Sequence, residues 1–235
     1  MKAHKNSRTL LLFDIDGTLI LTGGRGKKAM VQAVEEEFGT PIRFEFKDFA
    51  GSTDRKIIRT LMAKNGIQPP NVESAIDRVL ERYLVHLGRL LANGDGVEVL
   101  PGIRELLEIV RNDDRFALGL VTGNIEPGGR LKLETPGLNP CFPIGAFGND
   151  NTDRNLLPPL AIRRAEAYYH TSFSPEKVWV IGDTPRDIRC GKANGLRCLA
   201  VATGGWELQR LREHQPDVAL PSLENAREVL KYLVG

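Results

Sequence analysis

Residues 10–18 read Leu10–Leu11–Leu12–Phe13–Asp14–Ile15–Asp16–Gly17–Thr18. An apolar run with no polar alternation is the pattern of a strand buried on both faces, as in a parallel sheet covered by helices. In such a sheet, ligands gather beyond the carboxyl ends of the strands, which is where Asp14 and Asp16 fall. Two carboxylates two residues apart, beside a Gly-Thr turn, suit a hard cation such as Mg²⁺. That ion is typically held by one or two carboxylates, substrate phosphate and water.

Outward from this segment the same kind of run recurs at Phe116–Val121, Val178–Ile181, Cys198–Val201 and Val218–Leu220. Helical periods lie between and after these runs. Ile103, Leu106, Leu107 and Val110 share a face, as do Leu157, Leu160, Ala161, Ala165 and Tyr168, and then Leu223, Ala226, Leu230 and Leu233. Strand and helix alternate from about residue 97 onward, which predicts an α/β domain with a Rossmann-like parallel sheet. Residues 21–94 break the rhythm with three helical patterns and no convincing strand. These are Ala29–Phe38, Ile57–Met62 and the long series Val72, Ile76, Val79, Leu80, Tyr83, Leu87 and Leu90. The expected organisation is a core domain from 1–20 and 95–235, with an α-helical cap domain inserted at 21–94. Asn93–Gly94–Asp95–Gly96, followed by Pro101–Gly102, reads as the return linker.

Two more polar motifs follow strands directly. Thr122–Gly123–Asn124 offers a hydroxyl, a glycine amide and a side-chain amide, groups that can hold a phosphate. Gly182–Asp183–Thr184–Pro185–Arg186–Asp187 brings two further carboxylates, with Pro185 suited to a first helical turn and Asp183 a candidate cap. Asp14, Asp16 and Asp183 would then surround one point. Such clustering is electrostatically costly, and a divalent cation resolves it.

DxDGT at 14–18, a Thr after the second strand and GDxxxD at 182–187 resemble the haloacid dehalogenase-like hydrolase superfamily. The helical insertion right after the first motif resembles its phosphoglycolate phosphatase and β-phosphoglucomutase branch, and the likeness covers essentially the whole chain. The resemblance implies Asp14 as nucleophile, forming an aspartyl-phosphate, and Asp16 as general acid and base. Thr122 would bind the transferring phosphoryl group, with Gly123 and Asn124 beside it. Asp14, Asp183 and the backbone carbonyl of Asp16 would hold Mg²⁺, and Asp187 would support the metal by ligation or through water. The superfamily usually supplies a Lys in a third motif; here Arg154 takes that place, ahead of Lys132 and Lys177. Arginine stays charged and binds phosphate bidentately. The loop Gly51–Lys56 would drop over the site, with Thr53, Arg55 and Lys56 near the leaving group. The glycine-rich entry Thr22–Gly26 lacks Walker spacing and reads as a hinge.

The implied function is a Mg²⁺-dependent phosphatase acting on a small phosphomonoester, phosphoglycolate-like or a sugar phosphate. Two rivals remain. A phosphomutase of the same branch usually carries a His in the cap hinge, and residues 21–28 have none. A non-catalytic phosphate-binding module predicts loss of Asp14 or Asp16, and both are present.

Composition narrows the partners. The 235 residues are 41% hydrophobic and 26% charged, as in ordinary globular chains. Lys plus Arg at 32 against Asp plus Glu at 30 leaves a net charge of +2, too little to build a field for nucleic acid or an anionic membrane. Cys141, Cys190 and Cys198 form no CxxC and read as reduced thiols. Asp14 and Asp16 interrupt the apolar run behind Lys2, Lys5 and Arg8, which argues against a signal peptide. The expectation is a cytoplasmic enzyme for a small phosphorylated metabolite, with neither nucleic acid nor membrane as partner.

Overall fold

A computed structural model describes residues 8–92 and 96–234. The basic residues Lys2 and Lys5 and the linker residues Asn93, Gly94 and Asp95 lie outside the described residues.

The chain begins with β1 (Thr9–Phe13) and the short β2 (Ile20–Leu21), then runs through α1 (Arg25–Phe38), α2 (Phe46–Phe49), α3 (Asp54–Lys64) and α4 (Val72–Leu91). It returns through β3 (Glu98–Val99) and continues as α5 (Ile103–Arg111), β4 (Phe116–Val121), α6 (Glu126–Glu134), β5 (Gly145–Ala146), α7 (Leu157–Tyr169), β6 (Val178–Gly182) and α8 (Pro185–Lys192). β7 (Arg197–Val201), α9 (Leu208–Glu213), β8 (Val218–Leu220) and α10 (Ala226–Val234) complete it. Six strands form one parallel sheet in the order β5-β4-β1-β6-β7-β8.

The uninterrupted apolar strands are explained by burial on both faces. Leu11 and Phe13 of β1 join Trp179, Ile181 and the helices α5 and α10 on one side. Leu10 and Leu12 join Val178, Val180 and the α7 residues Leu157, Ala161 and Ala165 on the other. Tyr168 was expected on that α7 face but is 55% exposed. Its neighbour Tyr169 turns to the sheet instead, its hydroxyl donating to the Leu118 carbonyl at 2.8 Å and accepting from the Leu118 amide at 3.1 Å.

Helices α1, α3 and α4 bury a separate apolar cluster, among them Met30, Val34, Ile58, Leu61, Ile76, Val79 and Leu87. A four-residue apolar stripe at 57, 58, 61 and 62 is enough to seat α3, because those positions share a face at 100° per residue. β2 pairs antiparallel with β3, Ile20 opposite Val99 and Leu21 opposite Glu98, so the two connections of the helical lobe leave side by side. Two residues per strand are too few to show in a sequence pattern. Arg25 ties these connections together, its Nη1 donating to the carbonyls of Thr22 and Gly96, each at 3.2 Å. Among the described residues no helix is long and apolar enough to cross a membrane.

Candidate active site

Strand register sets the site. Phe13 stands opposite Leu120 on one side and Ile181 on the other. Asp14, Thr122 and Asp183 follow within two residues of that row, so all three emerge at one edge of the sheet. The Asp14 amide donates to the Ile181 carbonyl at 2.9 Å, which keeps the first motif in register as it leaves the strand. All three residues are buried, at 4%, 0% and 3% exposure. A cavity of about 330 Å³ opens above them, with the helical lobe as its roof.

Asp14, Asp183 and Asp187 each offer a carboxylate oxygen within 4.8 Å of the others. Burial pushes the Asp14 carboxyl up to about 6, with Arg154 opposing the rise and Asp187 adding to it. Burial, then repulsion from Asp187 and Asp14, also pushes Asp183 well above the ordinary carboxylate range. Two glycines make room for Asp183. A Cβ on Gly204 would lie 1.7 Å from its Oδ2, and one on Gly17, at φ +80°, would lie 2.5 Å from it. A buried cluster of repelling carboxylates whose surroundings exclude side chains fits a hard divalent cation. Asp187 is differently engaged. Its Oδ2 accepts from the Thr184 amide at 3.0 Å and hydroxyl at 2.6 Å, and its Oδ1 from Arg154. Thr184 therefore caps α8, in a reciprocal box with Asp187, and the cap expected of Asp183 is not formed.

Arg154 is 8% exposed and reaches Asp14 Oδ1 with Nη2 at 3.1 Å. The same guanidinium bonds Asp187 and donates to the Gly51 carbonyl of the lobe at 3.2 Å. Lys177 lies ahead of β6, at the opposite end of the strand from Asp183. Lys132, ranked behind Arg154 in the sequence, is in the site too, on another carboxylate. Its Nζ lies 2.7 Å from Asp16 Oδ2 and 2.6 Å from Asn124 Oδ1. Burial works to strip its proton, but Asp16, Tyr83 and Asp54 overcome that and hold it charged. The signal for Lys132 was the preceding Gly128–Gly129. A Cβ on Gly128 would stand 3.2 Å from Tyr83 Cε1, and one on Gly129 would stand 3.0 Å from Ile15 Cδ1. Those glycines let α6 press in between lobe and core, and Lys132 follows one turn later on the same face.

Asn124 was expected to hold phosphate. It lines the cavity with Thr122 and Gly123, and its amide donates to Asp16 Oδ2 at 2.8 Å and to the Thr122 hydroxyl oxygen at 2.9 Å, while its oxygen accepts from Lys132. It is a clamp inside the protein. Thr122 also hydrogen-bonds Asp14. Gly123 admits the lobe: its carbonyl accepts from the Asp54 amide at 2.8 Å, and a Cβ there would lie 2.0 Å from the Ser52 carbonyl.

Thr53, Arg55 and Lys56 do not line the cavity. Thr53 donates its hydroxyl to the Thr152 carbonyl at 3.1 Å. Arg55 pairs with Asp77 at 2.6 Å and Glu73 at 2.8 Å on the outer face of the lobe. Lys56 is exposed. The cause is rotational: once the stripe at 57, 58, 61 and 62 faces inward, Arg55 and Arg59 share the outer face, and both bond Glu73. Asp54 also reaches the core: its Oδ2 accepts from the Ile125 amide at 2.8 Å.

Residues 11–201 match the haloacid dehalogenase-like hydrolase family, and the chain belongs to that family. It is 26% identical over 227 residues to a phosphoglycolate phosphatase of Synechococcus elongatus, covering 95% of this chain and 98% of the relative. It is 27% identical over 223 residues to the pyrophosphatase PpaX of Listeria innocua, covering 95% and 96%. A hydrolase of Pseudomonas syringae has the same fold, with a TM-score of 0.75 at 17% identity over 96% of this chain and 99% of that one.

Proposed function

We propose that this enzyme is a Mg²⁺-dependent phosphatase that hydrolyses a small phosphomonoester through an aspartyl-phosphate on Asp14. The observation that carries the reading is the division of labour between two carboxylates of one motif. Asp14 is buried against Arg154, whereas the Asp16 side chain is 41% exposed and held from one side by Asn124 and Lys132. The family membership and the similarity to a phosphoglycolate phosphatase agree with it. Residues 21–94 act as its cap and the remainder as its core.

Asp14 and Asp183, with the backbone carbonyl of Asp16, would hold Mg²⁺, and Asp187 would steady the group through Arg154 and Thr184. When bound, Mg²⁺ supplies positive charge against the carboxylates and a phosphoryl oxygen. The residues do the rest. An Asp14 oxygen attacks phosphorus as the ester oxygen leaves, and protonated Asp16 gives that oxygen its proton. Asp16 then removes a proton from water, whose oxygen attacks the same phosphorus and frees phosphate and the Asp14 carboxylate. Arg154 and Thr122 stabilise the charge that builds on the phosphoryl oxygens. Asn124 and Lys132 both bond Oδ2 of Asp16, which orients the carboxyl and gives Oδ1 the proton transfers. Release of inorganic phosphate from simple phosphate esters, with and without EDTA, tests the reading; undiminished turnover in excess EDTA overturns the metal assignment.

A further inference from the structure

The cavity's volume, about 330 Å³, is in the range used for whole small-molecule ligands, far more than a phosphoryl group needs. Its roof is built by Met30 of α1, Phe46 and Phe49 of α2, Ile57 of α3 and Tyr83 of α4. Two of the charged groups in the lining are engaged within the protein. Asp54 accepts from Ile125, and Lys132 is held by Asp16 and Asn124. The Lys27 ammonium lies 5.6 Å from the Phe46 ring centre and 5.9 Å from that of Phe49, over the rings themselves. Arg55, next to Asp54 in sequence, is bound to Glu73 and Asp77 outside the cavity.

We propose that the leaving alcohol of the substrate carries an apolar body, a branched or linear alkyl chain or an aromatic ring. This rests on the phosphatase reading above and narrows it. The hydroxyls of a sugar pressed against Met30, Phe46, Phe49 and Ile57 would lose water and gain no partner from those side chains. An alkyl or aryl body would exchange water for the ring and thioether faces of Phe46, Phe49 and Met30.

The test is kcat/KM in Mg²⁺ for ethyl, n-hexyl and benzyl phosphate, glucose 6-phosphate and 2-phosphoglycolate. Each ester leaves from a primary alcohol carbon, which limits differences in intrinsic reactivity. The expected order places hexyl and benzyl phosphate at least about tenfold above ethyl phosphate, glucose 6-phosphate and phosphoglycolate, as an apolar pocket rewards extra carbon. Phe46→Ala and Phe49→Ala should each shrink the hexyl-to-ethyl ratio several-fold; Phe46 is 51% exposed, so its truncation spares the fold. Equal or better hydrolysis of glucose 6-phosphate or phosphoglycolate overturns the proposal and leaves the phosphatase reading standing. So does a hexyl-to-ethyl ratio that neither substitution changes. No hydrolysis of any of the five esters overturns the phosphatase reading, and this inference with it.

Discussion

The floor and the roof of the cavity are built by different rules. The floor consists of residues at strand ends: Asp14 after β1, Thr122 after β4 and Asp183 after β6. Hydrogen-bonded register fixes their height, so sequence position alone determines that they meet. The roof consists of side chains on α1–α4, where rotation of each helix about its axis decides which residues face inward. Rotation is set by the apolar stripe that must be buried, and charged residues take the positions left over. Charge in the floor is therefore organised for chemistry, whereas much of the charge on the lobe is surface pairing, such as Arg78 and Arg82 on Glu37.

Substitutions that remove floor groups should break this contrast most severely. Asp14→Asn, nearly isosteric, should abolish turnover while the protein stays folded. A residual rate above about 1%, a barrier increase under roughly 2.7 kcal/mol, rules out Asp14 as nucleophile. Arg154→Ala should cost about 10²–10³ in rate. It also leaves Asp14 and Asp187 buried without their cation, a loss on the order of 3–5 kcal/mol in stability. Arg154→Lys keeps the charge, and its partial recovery in steady-state kinetics separates catalysis from folding. A wild-type rate for the alanine variant moves the role elsewhere.

Lys132 lies where the two regions meet, touching Asp16 below and Tyr83 above. Lys132→Met, close in shape, should lower kcat on the order of 10–10²-fold with a smaller change in KM, because it disturbs the orientation of the proton carrier. Lys132→Arg should restore part of the rate. A pure rise in KM would show that Lys132 binds substrate and does not position Asp16.

Metal should matter for stability in a pH-dependent way. The Asp14 carboxyl is raised from 3.8 to about 6. An unfolded chain ionises it first, so the metal-free protein loses stability as pH climbs from about 4 to 6. The loss, about 3 kcal/mol for this one group, is complete above that range. Added Mg²⁺ should therefore raise the melting temperature by several degrees at pH 7.5 and by much less at pH 5. Equal gains at both pH values would show that Asp14 does not share the metal.

The smallest effect belongs to the roof's outer face. Arg55→Ala removes two ion pairs whose acids are more than half exposed, Glu73 at 56% and Asp77 at 59%. It should cost no more than about 1 kcal/mol of stability and leave kcat/KM within about threefold. A hundredfold loss in kcat/KM would mean that α3 rotates Arg55 into the cavity during turnover.

Much of this molecule is legible from residues alone. Uninterrupted apolar runs mark the buried parallel strands, and the polar residues that follow them must share an edge, since a strand's end is a local property. Arg154 is legible from its place just ahead of α7. Tertiary structure decided what the chain could not state locally. Lys132 sits in a helix of weak amphipathic character, and it turns inward because Gly128 and Gly129 let α6 close against Ile15 and Tyr83. That the Asn124 amide is shared among Thr122, Asp16 and Lys132 shows only in the packed site. Thr53, Arg55 and Lys56 look like a substrate loop until the buried stripe of α3 turns them away. Strand-end positions follow from hydrogen-bond register, which the order of residues encodes. A side chain's direction on a helix follows from what the whole helix must bury, and only the packed molecule determines that.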